Sequence, residues 1–299
     1  MKILITGSRG QLGTELQRQL KNGGSALGVL PERLKNAIVI PTDVEELDIT
    51  DREATIAFVR RHQPDTIISC AAFTNVDGCE SNPEAAFKVN ALGASNLAQA
   101  AERINARLIH VSTDYVFRGE GNKPLDESEP ISPKSAYGKT KALGEEYVRN
   151  FCHRYFIVRT AWLYGYNGKN FVKTMVNAGK KFGKLEVVND QLGNPTNAED
   201  LAHHILKLAV SHEYGVYHCT GEGVCSWYDF AKEIIRLSGV DATVSPCTSE
   251  EYAAKHPAAA DRPAWSALEN RMLTCTVGND MRDWKVALAD FFAHWNPEE

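Results

Sequence analysis

The sequence has little with which to cross a membrane, grip a phosphate backbone or staple itself together. No apolar stretch approaches the roughly 20 residues that a spanning helix needs. The chain opens "MKILITGSRG" and reaches its first glycine after a short apolar run, without a signal-like segment. The expectation is a cytoplasmic protein with no membrane partner. Lysine and arginine number 33 against 38 aspartates and glutamates, a formal net charge of −5, with no basic block or stripe. Nucleic acid therefore has little electrostatic footing. The seven cysteines, at 70, 79, 152, 219, 225, 247 and 275, are odd in number and never form a Cys-x-x-Cys pair. That argues against a disulfide frame and against a zinc site. Internal repeats, low-complexity tracts and linkers are also missing.

What is present is a globular composition, 43% hydrophobic and 24% charged over 299 residues, enough for one large domain or two modest ones. Short apolar or β-branched runs ("KILIT", "AIVI", "DTIISCAA", "RLIHVST", "YFIVRTAW") take turns with helical patterns at 51–63, 83–104 and 137–150. This alternation predicts an α/β fold, a doubly wound parallel sheet of the Rossmann kind. Past residue 165 the pattern loosens: a strand-like "LEVVND", a helix near 198–210, "GVYHCT", a helix near 227–237 and a last one near 283–295. A smaller mixed α/β region in the C-terminal half is expected. Residues 23–36 read as an inserted loop, and 115–135, rich in Gly, Pro, Ser and acids, as a functional cover.

Between the first strand and the first helix, Gly7, Gly10 and Gly13 are spaced Gly-x-x-Gly-x-x-Gly. Placed there, the stretch fits a dinucleotide turn: Gly7 for the sharp bend, Gly10 for close approach to a pyrophosphate, Gly13 for helix packing. It fits a tight turn with no ligand as well. Asp43, past the second strand, is the acid placed to meet the adenosine ribose. No arginine directly follows that strand, so NADH and NADPH both remain open.

Further on, "SAYGKTKALGE" puts Tyr137 and Lys141 four residues apart on one helical face. Upstream, "HVSTDYVF" puts Thr113 at the C-terminal end of a core strand, where open α/β sheets place ligands. A phenol with an ordinary pKa of about 10 is a poor acid–base group at neutral pH. A neighbouring ammonium favours the phenolate, and Lys141 is expected to do this for Tyr137 while also holding a nicotinamide ribose.

"ITGSRGQLG", "STDYVF" and "YGKTK", in this order and spacing, resemble the extended short-chain dehydrogenase/reductases. "CAAFTNVDGCE", "VRTAWLYG", "VVNDQLGNPT" and "RPAWSALEN" narrow the resemblance to the dTDP-4-dehydrorhamnose reductase family, over nearly the whole chain. The resemblance implies reduction of a 4-keto nucleotide sugar by NADH or NADPH, in a monomer or homodimer. It implies cofactor binding mainly by residues 1–165 and nucleotide-sugar binding mainly by 166–299, with the chain free to cross between them. Gly10, Gln11 and Leu12 fall on the pyrophosphate turn, Asp48 and Ile49 on the adenine contact, and Ala72, Phe73 and Thr74 beside the cofactor. Tyr137 and Lys141 fall on the catalytic pair, assisted by Thr113. Thr113, Asp114 and Trp162 fall on the sugar side, and Asn189, Gln191, Pro195 and Arg262 where the nucleotide half is held.

The pattern also departs from the family. Phe73 stands where a Tyr or His is frequent. Glu15 matches an acid that some members use for Mg²⁺ at a dimer interface, yet the terminal "NPEE" supplies no clear partners, so no tightly bound metal is expected. Glu15 reads instead as a helix-start acid favoured by the dipole. His203 and His204 are adjacent on a helix and poorly placed to share a metal. Two other functions stay open. One is a nucleotide-sugar epimerase or dehydratase that retains its NAD, although Tyr115 replaces the Glu that would complete a dehydratase's Asp–Glu pair. The other is a non-catalytic NAD(P)-binding member, like the regulatory subunit of methionine adenosyltransferase.

Overall fold

The apolar runs become strands β1 (Lys2–Thr6), β2 (Ile38–Thr42), β3 (Thr66–Ser69), β4 (Arg107–Thr113) and β5 (Tyr155–Thr160), joined by β6 (Gly215–His218). The computed structural model describes residues 1–257 and 260–295. All neighbours in the six-stranded sheet run parallel, in the order β6-β5-β4-β3-β1-β2. The chain leaves β1 toward β2 and returns past β1 to β3. The crevice between β1 and β3 is thus the topological switch point, where such sheets bind ligands.

Successive strand residues feed opposite faces. Ile3, Ile5, Ile68, Ile109 and Phe156 pack on one side with Leu16 of α1 (Gln11–Asn22). Leu4, Ile67, Leu108 and Ile157 pack on the other with Val59 of α2 (Arg52–His62), Leu97 of α3 (Gly93–Arg103) and Val148 of α4 (Ala136–Phe151). Burial on both faces explains why these strands read as continuous apolar runs rather than alternating ones. The crossing expected of the chain is substantial. α5 (Ala198–Val210) places Leu201 and Ile205 in the first core, and β6 extends the main sheet. The rest of the C-terminal half has its own core around Tyr164, Val176, Phe230, Trp284 and Phe291. It also has a two-stranded parallel sheet, Lys184–Val188 with Thr243–Cys247.

Three expectations need correction. The pattern at 83–104 is broken into Pro83–Phe87, a π turn at Lys88–Leu92, and α3. The widened turn carries Asn90, which bonds the backbone of Phe73. Residues 23–36 are more than a loop: they form a small ribbon, Gly24–Ser25 with Gly28–Val29, and bury Leu30 and Leu34. The 115–135 segment is docked on the chain near 265–272, through Leu125 N to Ala267 O (2.9 Å) and Met272 N to Glu127 (3.0 Å). Only its first residue, Tyr115, lines the large cleft described below.

The glycine turn separates two demands. A Cβ on Gly13 would lie 2.3 Å from Gly7 O and 2.7 Å from Ser8 Cα, whereas one on Gly10 would meet only Gly7 O at 3.1 Å. Gly13→Ala should therefore cost about 1–3 kcal/mol through backbone displacement and lower the Tm by several degrees. Gly10→Ala should leave it nearly unchanged. Equal losses in thermal melts of the two variants would refute this division.

Candidate active site

Gly7 adopts φ +64°, and its Cα comes so close to β3 that a Cβ would sit 2.7 Å from Ala71 N. The chain then enters α1 at Gly10, whose N–H donates to Gly7 O (3.0 Å) and which has no side-chain cap. A first turn with uncapped amides and a positive dipole end suits a pyrophosphate. It opens on a cleft of about 780 Å³, within the range of small-molecule sites.

The cleft collects most of the residues expected from the sequence. Gly7, Gly10, Gln11, Leu12 and Gly13 line one wall, Asp43, Asp48 and Ile49 one end, and Ala72 and Thr74 the tip beyond β3. Thr113, Asp114, Tyr137, Lys141 and Trp162 line the other end. Five expected residues are not brought in. Phe73 has its N–H and carbonyl tied to Asn90. Gln191 donates to Ser249 Oγ (2.9 Å), and Arg262 to the Asp77 carboxylate (3.2 and 3.3 Å). Asn189 donates its N–H to Cys247 O (3.0 Å), and Pro195 precedes Thr196, whose N–H reaches Trp162 O (3.2 Å). Their loop stays near the cleft through Gly193, which lies against the Trp162 ring.

α4 carries the central pair. Ser135 caps it by accepting from Gly138 N (3.1 Å), and Glu80 accepts from Ala136 N (2.7 Å). Gly138 lets the helix press onto Tyr115, since a Cβ there would lie 2.2 Å from Tyr115 O. Tyr137 is pushed above its ordinary pKa by burial, with the Thr113 hydroxyl acting the other way. The expected depression by Lys141 is not what the geometry provides. The Lys141 ammonium turns to Val111 O (2.6 Å) and faces His110 Nε2 (3.4 Å). Burial lowers Lys141 itself to about 8, against the pull of Glu145. Burial raises Asp114 to about 6.

Several contributors escaped the sequence reading. Trp227, at the start of α6 (Trp227–Ser238), lines the cleft and stacks on Trp162 at 3.5 Å and 8°. Trp162 takes a left-handed φ of +47°, a strained backbone for a bulky residue. Arg9 donates its N–H to Asp43 (3.2 Å), and its guanidinium is engaged by Glu45 (2.8 Å) and Glu46. The helix itself was expected near 227–237, and Ser226 and Asp229 form its capping box.

Glu15 is not a first-turn acid helped by the dipole. It is buried deeper in α1 and accepts from Arg18 (2.7 and 2.8 Å) and Gln19 (2.8 Å), and Arg18 also reaches Glu199 (2.7 Å). "NPEE" lies outside the described residues. His203 bonds Ser25, while His204 bonds Asp200 O and Asp280 N.

The family model described as the RmlD substrate binding domain matches residues 1–296 of the chain. The chain belongs to this family. A Clostridium acetobutylicum dTDP-4-dehydrorhamnose reductase structure is similar at TM-score 0.91 and 49% identity, covering 98% of this chain and 99% of that one. A Bacillus anthracis dTDP-4-dehydrorhamnose reductase, solved with NADP, gives TM-score 0.90 and 39% identity over 98% of both chains. The Bacillus subtilis spore coat polysaccharide biosynthesis protein SpsK is 41% identical over 97% of this chain and 96% of its own. The residues on hand fit a nicotinamide dinucleotide. The uncapped turn suits its pyrophosphate, and the Thr160 hydroxyl, unpartnered and buried, lies at the cleft wall.

The buried Lys141 has a stability consequence. Its folded pKa of about 8 lies below the ordinary 10.5, so the folded state binds fewer protons than the unfolded one between those values. Its burial penalty therefore fades as pH rises through that window and stands in full below pH 8. Lys141→Met should stabilise the ligand-free protein at pH 7 by on the order of 3 kcal/mol at most, seen as a higher Tm, and flatten the rise of Tm from pH 8 to 10. An unchanged or lower Tm across that range would contradict the assignment.

Proposed function

We propose that the protein reduces the 4-keto group of dTDP-4-dehydrorhamnose (dTDP-4-dehydro-6-deoxy-L-mannose) to give dTDP-L-rhamnose, using NADH or NADPH. One observation carries the reading: Thr113, Tyr137 and Lys141 meet at one end of the cleft whose wall is the dinucleotide turn. Family membership supports the substrate class.

Gly7, Gly10, Gln11, Leu12 and Gly13 would hold the cofactor's pyrophosphate, and Asp43, Asp48 and Ile49 its adenosine half, with Ala72, Phe73 and Thr74 beside it. When bound, the reduced nicotinamide supplies the hydride that C4 of the sugar receives. Tyr137, kept protonated by burial, gives its phenolic proton to the sugar O4, and the Thr113 hydroxyl orients that oxygen. Lys141 lies one helical turn on, its ammonium donating to Val111 O (2.6 Å), and would hold the nicotinamide ribose. Asp114 and the flat Trp162–Trp227 pair form the sugar wall. Arg262 sits on Asp77, beside the helix whose Val76 lines the cleft, and Asn189, Gln191 and Pro195 belong to the loop touching Trp162. These residues would serve the nucleotide half, where a planar guanidinium suits a diphosphate.

Cofactor binding would then rest mainly on residues 1–165 and nucleotide-sugar binding mainly on 166–299. The chemistry needs no Mg²⁺, and Glu15 is already neutralised by Arg18. A cytoplasmic monomer or homodimer is part of the same proposal. The net charge of −5 gives nucleic acid no purchase.

Purified protein should oxidise one NADH or NADPH for each 4-keto sugar consumed and should carry little bound cofactor, followed by absorbance at the nicotinamide band. Tyr137→Phe should lower turnover about 100-fold or more while cofactor affinity persists. Stoichiometric retained NAD, with sugar conversion in the absence of added cofactor, would identify an epimerase-type enzyme instead.

A further inference from the structure

NADH and NADPH differ only at the 2′ position of the adenosine ribose, a hydroxyl in one and a phosphate in the other. A carboxylate past the second strand accepts from the hydroxyl and repels the phosphate, whereas an available arginine there would bind the phosphate. In this protein the choice turns on the segment after β2. From Asp43 to Asp48 it carries four carboxylates in six residues, and no lysine or arginine lies between Lys35 and Arg52. Asp43 and Asp48 line the cleft. Asp43 Oδ2 accepts the Arg9 N–H (3.2 Å) and Oδ1 the Val44 N–H (3.0 Å), so each oxygen keeps a lone pair for a ribose hydroxyl. Arg9, in the glycine turn, reaches the same segment. Its guanidinium donates to Glu45 at 2.8 Å and to Glu46, and Glu46 is itself fixed by the Asp43 N–H (2.8 Å). Leu47, buried among the residues under α2, roots the turn in the core. Neither Arg9 nor the two glutamates line the cleft themselves.

We propose that Glu45 and Glu46 select NADH over NADPH, by withholding Arg9 from the 2′-phosphate and by repelling that phosphate. This inference deepens the reductase reading above and rests on its cofactor site. Each ion pair is exposed and weak on its own. A phosphate that captured Arg9 would nevertheless leave both glutamates unpaired beside added negative charge. The discrimination is therefore as much a built-in repulsion of NADPH as an attraction for NADH, and salt screens it. Both cofactors present the same nicotinamide, so the preference is set in binding rather than in the hydride step.

Calorimetric titration of the full chain with NADH and with NADPH, in the absence of sugar, separates these effects in four proteins: wild type, Glu45→Gln/Glu46→Gln, Arg9→Ala and the triple variant. At low salt the wild type should bind NADH about 10-fold or more tighter than NADPH. The ratio should shrink at about 1 M salt, where the Debye length falls to about 3 Å. The glutamine pair should tighten NADPH about 10-fold and leave NADH within about twofold. Arg9→Ala alone should move neither affinity by more than about twofold, yet in the glutamine background it should remove most of the NADPH gain. Equal affinities in the wild type, or a ratio that the glutamine pair leaves unmoved, would overturn the selection. A gain that survives Arg9→Ala would overturn it as well, since the arginine would then have nothing withheld. Failure to bind either cofactor would instead sink the dinucleotide site. Tight NADH binding without turnover of the 4-keto sugar would sink the reductase reading and leave the cofactor preference standing.

Discussion

The end of the cleft that carries Tyr137 and Lys141 is held in place by an ion pair that does not line it. Glu145 is fully buried and takes two bonds from Arg159 of β5, at 2.9 and 2.8 Å, one from Ser112 of β4 at 2.6 Å and one from Arg149 at 2.9 Å. The helical repeat then does the rest. Tyr137, Lys141 and Glu145 follow one another at intervals of four, so fixing Glu145 against two strands fixes the face that carries the other two. Two charges out of water are tolerated because every lone pair on the carboxylate has a donor, and removing one partner would expose the other to a penalty of about 3–5 kcal/mol. His218, 3.4 Å from the Arg159 guanidinium, is driven down to about 3 by burial and by that charge. It stays neutral, so no second cation competes for Glu145.

That anchoring also explains where strain can be stored. Between β1 and β3 the sheet offers a crevice, and the backbone around it breaks local rules in two places. Gly7 bends with a positive φ that glycine adopts freely, whereas Trp162 does so with a bulky side chain. A tryptophan in that region persists only when its surroundings over-determine it. The parallel Trp227 ring on one side and the close approach of Gly193 do this. Both residues face the same cleft, as expected where local preference yields to a binding geometry.

What could be read from the sequence follows from range. The strand–turn–helix around Gly7 to Gly13 and the Tyr137–Lys141 pair are local patterns with fixed spacing, and both appear where they were expected. Thr113 was legible from its place at the end of a core strand, and the residue-by-residue resemblance extended the reading to Asp114 and Trp162. Features set by distant packing were illegible. The π turn exists because Asn90 spans from Phe73 to Thr140 (3.2 Å), a contact that no periodicity encodes. Trp227 reaches Trp162 across 65 positions of sequence. The strand Thr243–Cys247 was hidden by Pro246, which a two-stranded edge accepts where a central strand would not. The 115–135 segment was read as a cover because irregular length often means function, but its backbone bonds are spent on residues 265–272.

The same burial that threatens stability arms the chemistry. Desolvation penalises whichever form is charged, so it moves acids and bases in opposite directions. Asp114 climbs from 3.8 to about 6, and Lys141 drops from 10.5 to about 8. Groups that would be inert at neutral pH on a surface are thereby brought to either side of it, flanking a phenol that burial keeps protonated. A more solvated cleft would restore ordinary values and leave a permanent carboxylate and a permanent ammonium. A drier one would neutralise both. The depth at which α4 is seated, fixed by Glu145 and Arg159, therefore sets the proton affinities at the active end as much as the positions of the atoms.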